Sequence, residues 1–173
     1  MEARYHLASL YKKTGDMERH VYWLRRIIDG DAESGSQRTE RSQWLAAWAN
    51  AEYGDYWTSE FKHIDLRAPL EASIPKKSEK LKNAQDRYEK AASYGIVDIS
   101  SRVTYSLGEL YAQFARELMN SPRPRGLSAS ERQQYELILE EQANPFEELA
   151  IQVHLKNIQE AWNGKRCLLD TGR

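Results

Sequence analysis

The sequence predicts an all-α fold. Apolar residues recur at three- and four-residue spacings over long stretches, the period of a helix with one buried face. Five prolines and nine glycines fall in clusters, so long helices meet at punctuated joints. Continuous strand-like alternation of Val, Ile and Thr is nearly absent. At 173 residues the chain is long enough to bury a core as one domain. That domain is expected over residues 1–164, with 165–173 as a tail and seven to eight helices in all.

The opening stretch, "ARYHLASLYKKTGDMERHVYWLRRIIDGD", predicts a hairpin of two helices. Tyr5, Leu7, Ala8 and Tyr11 mark the face of the first, and Val21, Leu24, Ile27 and Ile28 that of the second. Gly15-Asp16 makes the turn between them. One such hairpin cannot bury its own face and requires a neighbour. The segment resembles a tetratricopeptide repeat (TPR), a helical hairpin of about 34 residues. Leu7, Ala8, Tyr11, Gly15-Asp16 and Ile27 stand at the family's relative spacings. Arg4 departs from the Trp the family favours, and His20 from a small Ala. His20 needs room, which predicts looser packing between the two helices.

The middle of the chain is less regular. Residues 38–52 predict a helix with Trp44, Ala47, Trp48 and Ala51 on one face. Tyr53, Tyr56, Trp57, Phe61 and Ile64 predict a second, aromatic-rich helix to about Leu66. So many aromatics belong in a core between hairpins, and any left exposed would mark a protein-binding patch. "RAPLEASIP" (67–75) reads as a connector, and 76–94 as another helix. There Ala84, Tyr88 and Ala91 follow the second-helix spacing of the TPR resemblance, and Gly95 falls just past the end.

A long helix is predicted over 97–119. Within it Leu107, Gly108 and Tyr111 repeat Leu7, Ala8 and Tyr11 one hundred residues later. Gly108 is expected to let a neighbouring helix approach closely. The helix overruns the family's turn position, so this hairpin is a stretched variant. "SPRPRGLS" (121–128) then breaks it: Pro122 and Pro124 push their predecessors toward extended geometry, and Gly126 frees the reversal. Ser128 with Glu131 predicts a capping box that starts the next helix, running to about Gln142 and burying Tyr135, Ile138 and Leu139. Asn144 with Glu147 predicts a second box, with Pro145 at the first helical position. The last helix is then expected over 145–163, closed by Gly164, with Phe146, Leu149, Ala150, Val153, Ile158, Ala161 and Trp162 as its apolar set.

The C-terminal third adds a narrower resemblance. The S-P-R-P-G-L-S type joint, "YELILEEQ" and "PFEELAI" are similar to segments of large TPR proteins of the Gram-negative envelope, associated with TonB-dependent transport or gliding motility. The resemblance covers roughly residues 80–160. It implies a periplasmic or envelope-associated scaffold that binds other proteins, with no catalytic residues and no cofactor. It also implies a right-handed solenoid of stacked hairpins. The chain enters a repeat without a polar capping helix, so it is expected to be part of a longer array.

Composition narrows the function classes further. A net charge of -1 argues against nucleic acid as the main partner. No apolar run approaches the roughly 18–20 residues of a membrane span, and no signal segment opens the sequence. The single cysteine, Cys167, excludes an internal disulfide framework and a cysteine zinc site. His6, His20, His63 and His154 form no metal-binding pair at helical spacing, and His154 reads as a core or rim residue. No phosphate-binding glycine loop occurs. The reading is therefore a non-enzymatic scaffold for a protein or peptide partner, without metal or cofactor. The alternative is a structural module that homo-oligomerises through repeat stacking.

Carried over from the TPR resemblance, the groove candidates are Glu2, Tyr5, Ser9, Lys12 and Lys13 in the first hairpin. Arg102, Tyr105, Glu109 and Gln113 are their equivalents in the later one. They lack the Lys/Asn arrangement that clamps a peptide carboxylate. Arg123 and Arg125 are left over in the proline joint as further candidates. They are also the candidate cations for Glu140 and Glu141, whose place near a helix end goes against the dipole. Residues 76–90 form a basic flank, and 128–163 an acidic one with seven glutamates against Arg132 and Lys156.

Overall fold

The structure, a computed structural model, describes residues 1–67 and 70–170, without the side chains of 160, 161 and 163–170. It is all-helical: the described residues contain no strand. The described residues form six α-helices, α1 (Glu2–Thr14), α2 (Met17–Glu33), α3 (Glu40–Lys62), α4 (Ile74–Ala92), α5 (Val97–Met119) and α6 (Ala129–Asp170). Single 3-10 turns, Gly35–Gln37 and Leu70–Ala72, precede α3 and α4.

Six is fewer than the seven to eight expected, and the difference arises at two joints. The helices read over 38–52 and 53–66 are one helix, α3, because nothing between them breaks the backbone ladder. Gly54 stays helical, and its missing Cβ is filled by the ring of Tyr88; a Cβ there would stand 2.5 Å from that ring. Likewise 128–142 and 145–163 are one helix, with Pro145 inside α6. The second capping box is not used. A proline in a helix interior removes a hydrogen bond and costs about 3 kcal/mol. Packing offsets that cost here: Ala143 and Ala150, on either side of the proline, are both buried. Phe146 meets Phe114 edge-on with ring centres 4.7 Å apart. α6 continues through Gly164, where the sequence places its end, to Asp170.

The chain divides into two compact units, residues 1–60 with 82–103, and residues 61–81 with 104–173. In the first, α1 and α2 form the predicted hairpin. Gly15 adopts the left-handed conformation, φ 77°, and its N–H closes on the Lys12 carbonyl at 3.2 Å. Asp16 caps α2 by accepting from the Arg19 N–H at 3.0 Å. Ala8, Val21, Leu24 and Ile27 pack with Leu45, Ala49 and Tyr53 of α3. Mid-α3 is buried nearly all round: Leu45, Ala46, Ala47, Ala49, Asn50 and Ala51 all lose their contact with water. Trp44, Trp48, Tyr56 and Trp57 are half-buried against the same cluster. The default reading of these aromatics as core therefore holds.

In the second unit Phe61, Phe114 and Leu118 are buried, and Phe61 and Phe114 cross edge-on at 5.7 Å. Lys77 is buried among them. Its ammonium donates to the Phe61 carbonyl at 2.9 Å and the Ile64 carbonyl at 2.6 Å. It also pairs with Glu117 at 2.6 Å. A cation on the last carbonyls of α3 meets the negative end of that helix, so a lysine read as part of a basic flank is a helix cap. Past the proline joint the Ser128–Glu131 capping box forms as predicted, with reciprocal bonds of 2.8 and 3.3 Å. These bonds hold the Glu131 carboxyl below its ordinary range.

Candidate partner-binding surfaces

The groove candidates of the first hairpin lie along the side of α1 that faces α3. Glu2 accepts a two-pronged hydrogen bond from Arg41 at 2.6 and 3.1 Å, which lowers its carboxyl pKa. Tyr5 packs edge-on against Trp48 at 4.7 Å and Trp44 at 6.1 Å. Lys12 is ion-paired with Glu52. Ser9 is half-buried between them, and Lys13 is exposed. Most of this set is thus occupied within the chain. It forms a seam in which α1 and α3 run the same way, at offsets of 39 and 40 residues.

The later candidates divide between the units. Arg102, in the first, binds Asp55 at 2.8 Å. Asp55 also accepts from the Tyr88 hydroxyl at 2.7 Å, and burial together with that carboxylate pushes the phenol pKa up. Tyr105, Glu109 and Gln113 lie in the second unit. Gln113 donates to Glu117 at 2.7 Å. Tyr105 is 55% exposed and meets the His154 ring edge-on at 5.5 Å. Glu109 stands 3.6 Å from His154 Nε2. Gly108 is approached closely as expected: a Cβ would fall 2.7 Å from the His154 ring.

Each hairpin sets a histidine of its second helix against a small residue of its first. In the first, His20 of α2 sits on Ala8 of α1 and its Nδ1 bonds the Ala8 carbonyl at 2.8 Å. A carbonyl only accepts, so Nδ1 carries the proton. Far from loosening the hairpin, His20 is 1% exposed and spends its ring on it. In the second, His154 of α6 sits on Gly108 of α5, the residue one hundred places after Ala8. Sequence reading missed this equivalence because His154 lies far beyond the spacing of a standard repeat.

At the proline joint the two arginines part company. Arg123 forks onto Glu136 at 2.8 and 2.6 Å and donates to the Met119 carbonyl at 2.7 Å and to the Ser121 carbonyl. The partner is Glu136, one turn before Glu140, and the fork holds the Glu136 carboxyl below its ordinary range. Arg125, Glu140 and Glu141 are exposed. An open cavity of about 360 Å³ lies beside the joint, lined by Lys62, Asp65, Lys77, Glu117, Asn120 and Ser121 among others. Lys77 and Glu117 are spent on each other there.

Along α6 the expected burial is only partly met. Leu139 and Ala150 are buried, but Ile138, Leu149, Ile158 and Trp162 are exposed. The Ala161 side chain and the tail residues 171–173 lie outside the described residues. The buried residues face α5, where Phe146 meets Phe114, and the exposed ones lie on the flanks of the same helix. A three-four spacing reports an apolar face but not what covers it. Among the described residues no group of three or more metal-binding side chains converges, and no helix is long and apolar enough to cross a membrane. Comparisons with protein-family models, with curated proteins and with solved structures give no match to this chain.

Proposed function

We propose that the chain is a TPR-like helical-repeat module that acts as a scaffold for a partner protein or peptide, without catalytic residues. The observation that carries this reading is the repeated contact of a second-helix histidine with a small first-helix residue, His20 with Ala8 and His154 with Gly108. The parallel run of α1 and α3 supports it too, since stacked hairpins place successive first helices side by side. On this reading the hairpins belong to a right-handed solenoid; Lys13 is the exposed candidate position of the first unit and Tyr105 that of the second. The resemblance of the joint and of "YELILEEQ" and "PFEELAI" to envelope TPR proteins supports a periplasmic or envelope-associated scaffold.

The test is capture of partners from a Gram-negative envelope extract on the immobilised chain. A discrete partner is expected with the native sequence and lost with Lys13→Glu combined with Tyr105→Ala. Both positions are exposed, so the variant keeps the native helix content by circular dichroism. Equal recovery by both forms, or no partner at all, overturns the reading.

A further inference from the structure

Ile151, Leu155, Ile158 and Trp162 stand 59, 60, 55 and 67% exposed along α6. They are spaced by four, three and four residues, the repeat of a helix–helix seam. At roughly 100° per residue they form one straight stripe on the helix. The inner face, with Ala143, Phe146 and Ala150, points about a third of a turn away toward α5. Leu149, also exposed, falls on the opposite flank.

We propose that this stripe is a homodimer interface. A second copy of the chain covers it, α6 against α6, antiparallel about a twofold axis between Leu155 and Ile158. The symmetry sets Leu155 against Ile158 of the other copy, and Ile151 toward its Trp162, so apolar meets apolar along the whole stripe. Spacing is matched by construction, because the partner carries the same seam. Gln152 and Gln159, along one flank of the stripe, are neutral and exposed, and His154, on the other flank, is turned onto Tyr105 and Gly108 of α5. Glu147 and Glu148 lie just before the stripe. A parallel pair would set them against their own counterparts, and the antiparallel order sends them to opposite ends.

The area is sufficient. The four side chains present about 500 Å² of apolar surface, the size of a functional patch. Across two copies that makes about 1,000 Å², where specific interfaces begin. Because one patch serves both copies, the assembly closes at two. This proposal goes beyond the scaffold reading and does not depend on any partner being captured.

The experiment is analytical ultracentrifugation of the whole chain over about a hundredfold range of concentration. The mass is expected to rise from one chain to two and stop. Leu155→Glu should weaken dimerisation at least about tenfold, as a charge buried in a hydrophobic seam does. Leu149→Glu, on the other flank, should leave it unchanged, with equal helix content in both variants. Spin labels at Glu148→Cys, with Cys167→Ser, should read about 25 Å between copies along the helix axis for the antiparallel pair. A monomer throughout overturns the proposal. So does growth beyond two, a short label distance, or equal weakening by both substitutions. Binding of a monomeric chain to phosphatidylglycerol vesicles, lost in Leu155→Glu, would make the stripe a membrane surface and also overturn it.

Discussion

The first and last hairpins each set a histidine against a small residue, and the two contacts are held differently. Ala8 and His20 meet at a site closed over by α3, where Glu52 stands 3.9 Å from the His20 ring. Gly108 and His154 meet at a site whose histidine keeps 31% of its side-chain surface in water. Whether the pairing of a small residue with a histidine carries stability depends on what lies outside it. Burial multiplies the cost of losing a contact, because a cavity cannot be refilled by solvent.

Exchanging the histidines should break the comparison most visibly. His20→Ala removes a buried ring and its bond to the Ala8 carbonyl, and should destabilise by about 3 kcal/mol in urea unfolding. His154→Ala should cost under about 1 kcal/mol in the same measurement, since its ring lies at the rim. Similar costs for the two would mean that the contact, and not its surroundings, sets the energy.

The glycines sharpen the point on a smaller scale. Gly54→Ala drives a methyl into Tyr88, which is 2% exposed and tethered through its hydroxyl to Asp55 and Thr58. That ring cannot give way, and overpacking should cost about 2 kcal/mol. Gly108→Ala presses on a ring that can swing outward, and it gains about 1 kcal/mol of helix propensity. Its thermal midpoint should stay close to that of the native chain.

Smallest are the effects at the joint. Arg123→Ala, which removes the fork onto Glu136, should lower the thermal midpoint slightly, whereas Arg125→Ala should not move it. The Glu136 carboxyl is lowered in the folded state by the Arg123 hydrogen bond. The stability it contributes is therefore fully present above the ordinary carboxylate value of about 4.3 and is lost as pH falls through the lowered one. The difference in midpoint between the native chain and Glu136→Gln should be constant at neutral pH and disappear on acidification. A difference that persists in acid would mean the joint is held by Arg123's bonds to carbonyls alone.

Much of the chain was legible without coordinates. The turn at Gly15-Asp16, the capping box of Ser128 and Glu131, the bounds of α5 and the close approach at Gly108 were all read correctly. Each depends on residues within about four places of one another, or on a missing Cβ. The groove candidates were less legible. Glu2, Tyr5, Lys12 and Arg102 are already engaged by Arg41, Trp48, Glu52 and Asp55. Those partners lie some forty residues away or more, beyond any local pattern.

By itself, then, the sequence determined that the chain is helical, where its first hairpin turns and how its sixth helix begins. Those outcomes follow from backbone hydrogen bonds and caps, which are satisfied within a turn or two. Only the tertiary structure decided that Pro145 would stay inside α6, because the packing of Phe146 outweighs one lost bond. It alone decided that Lys77 would be a buried cap, that Arg123 would take Glu136, and that one apolar face of α6 would stand open. A side chain's period reveals that it has a face to bury, whereas the neighbour that buries it comes from elsewhere in the chain or, along the stripe of α6, from a second copy.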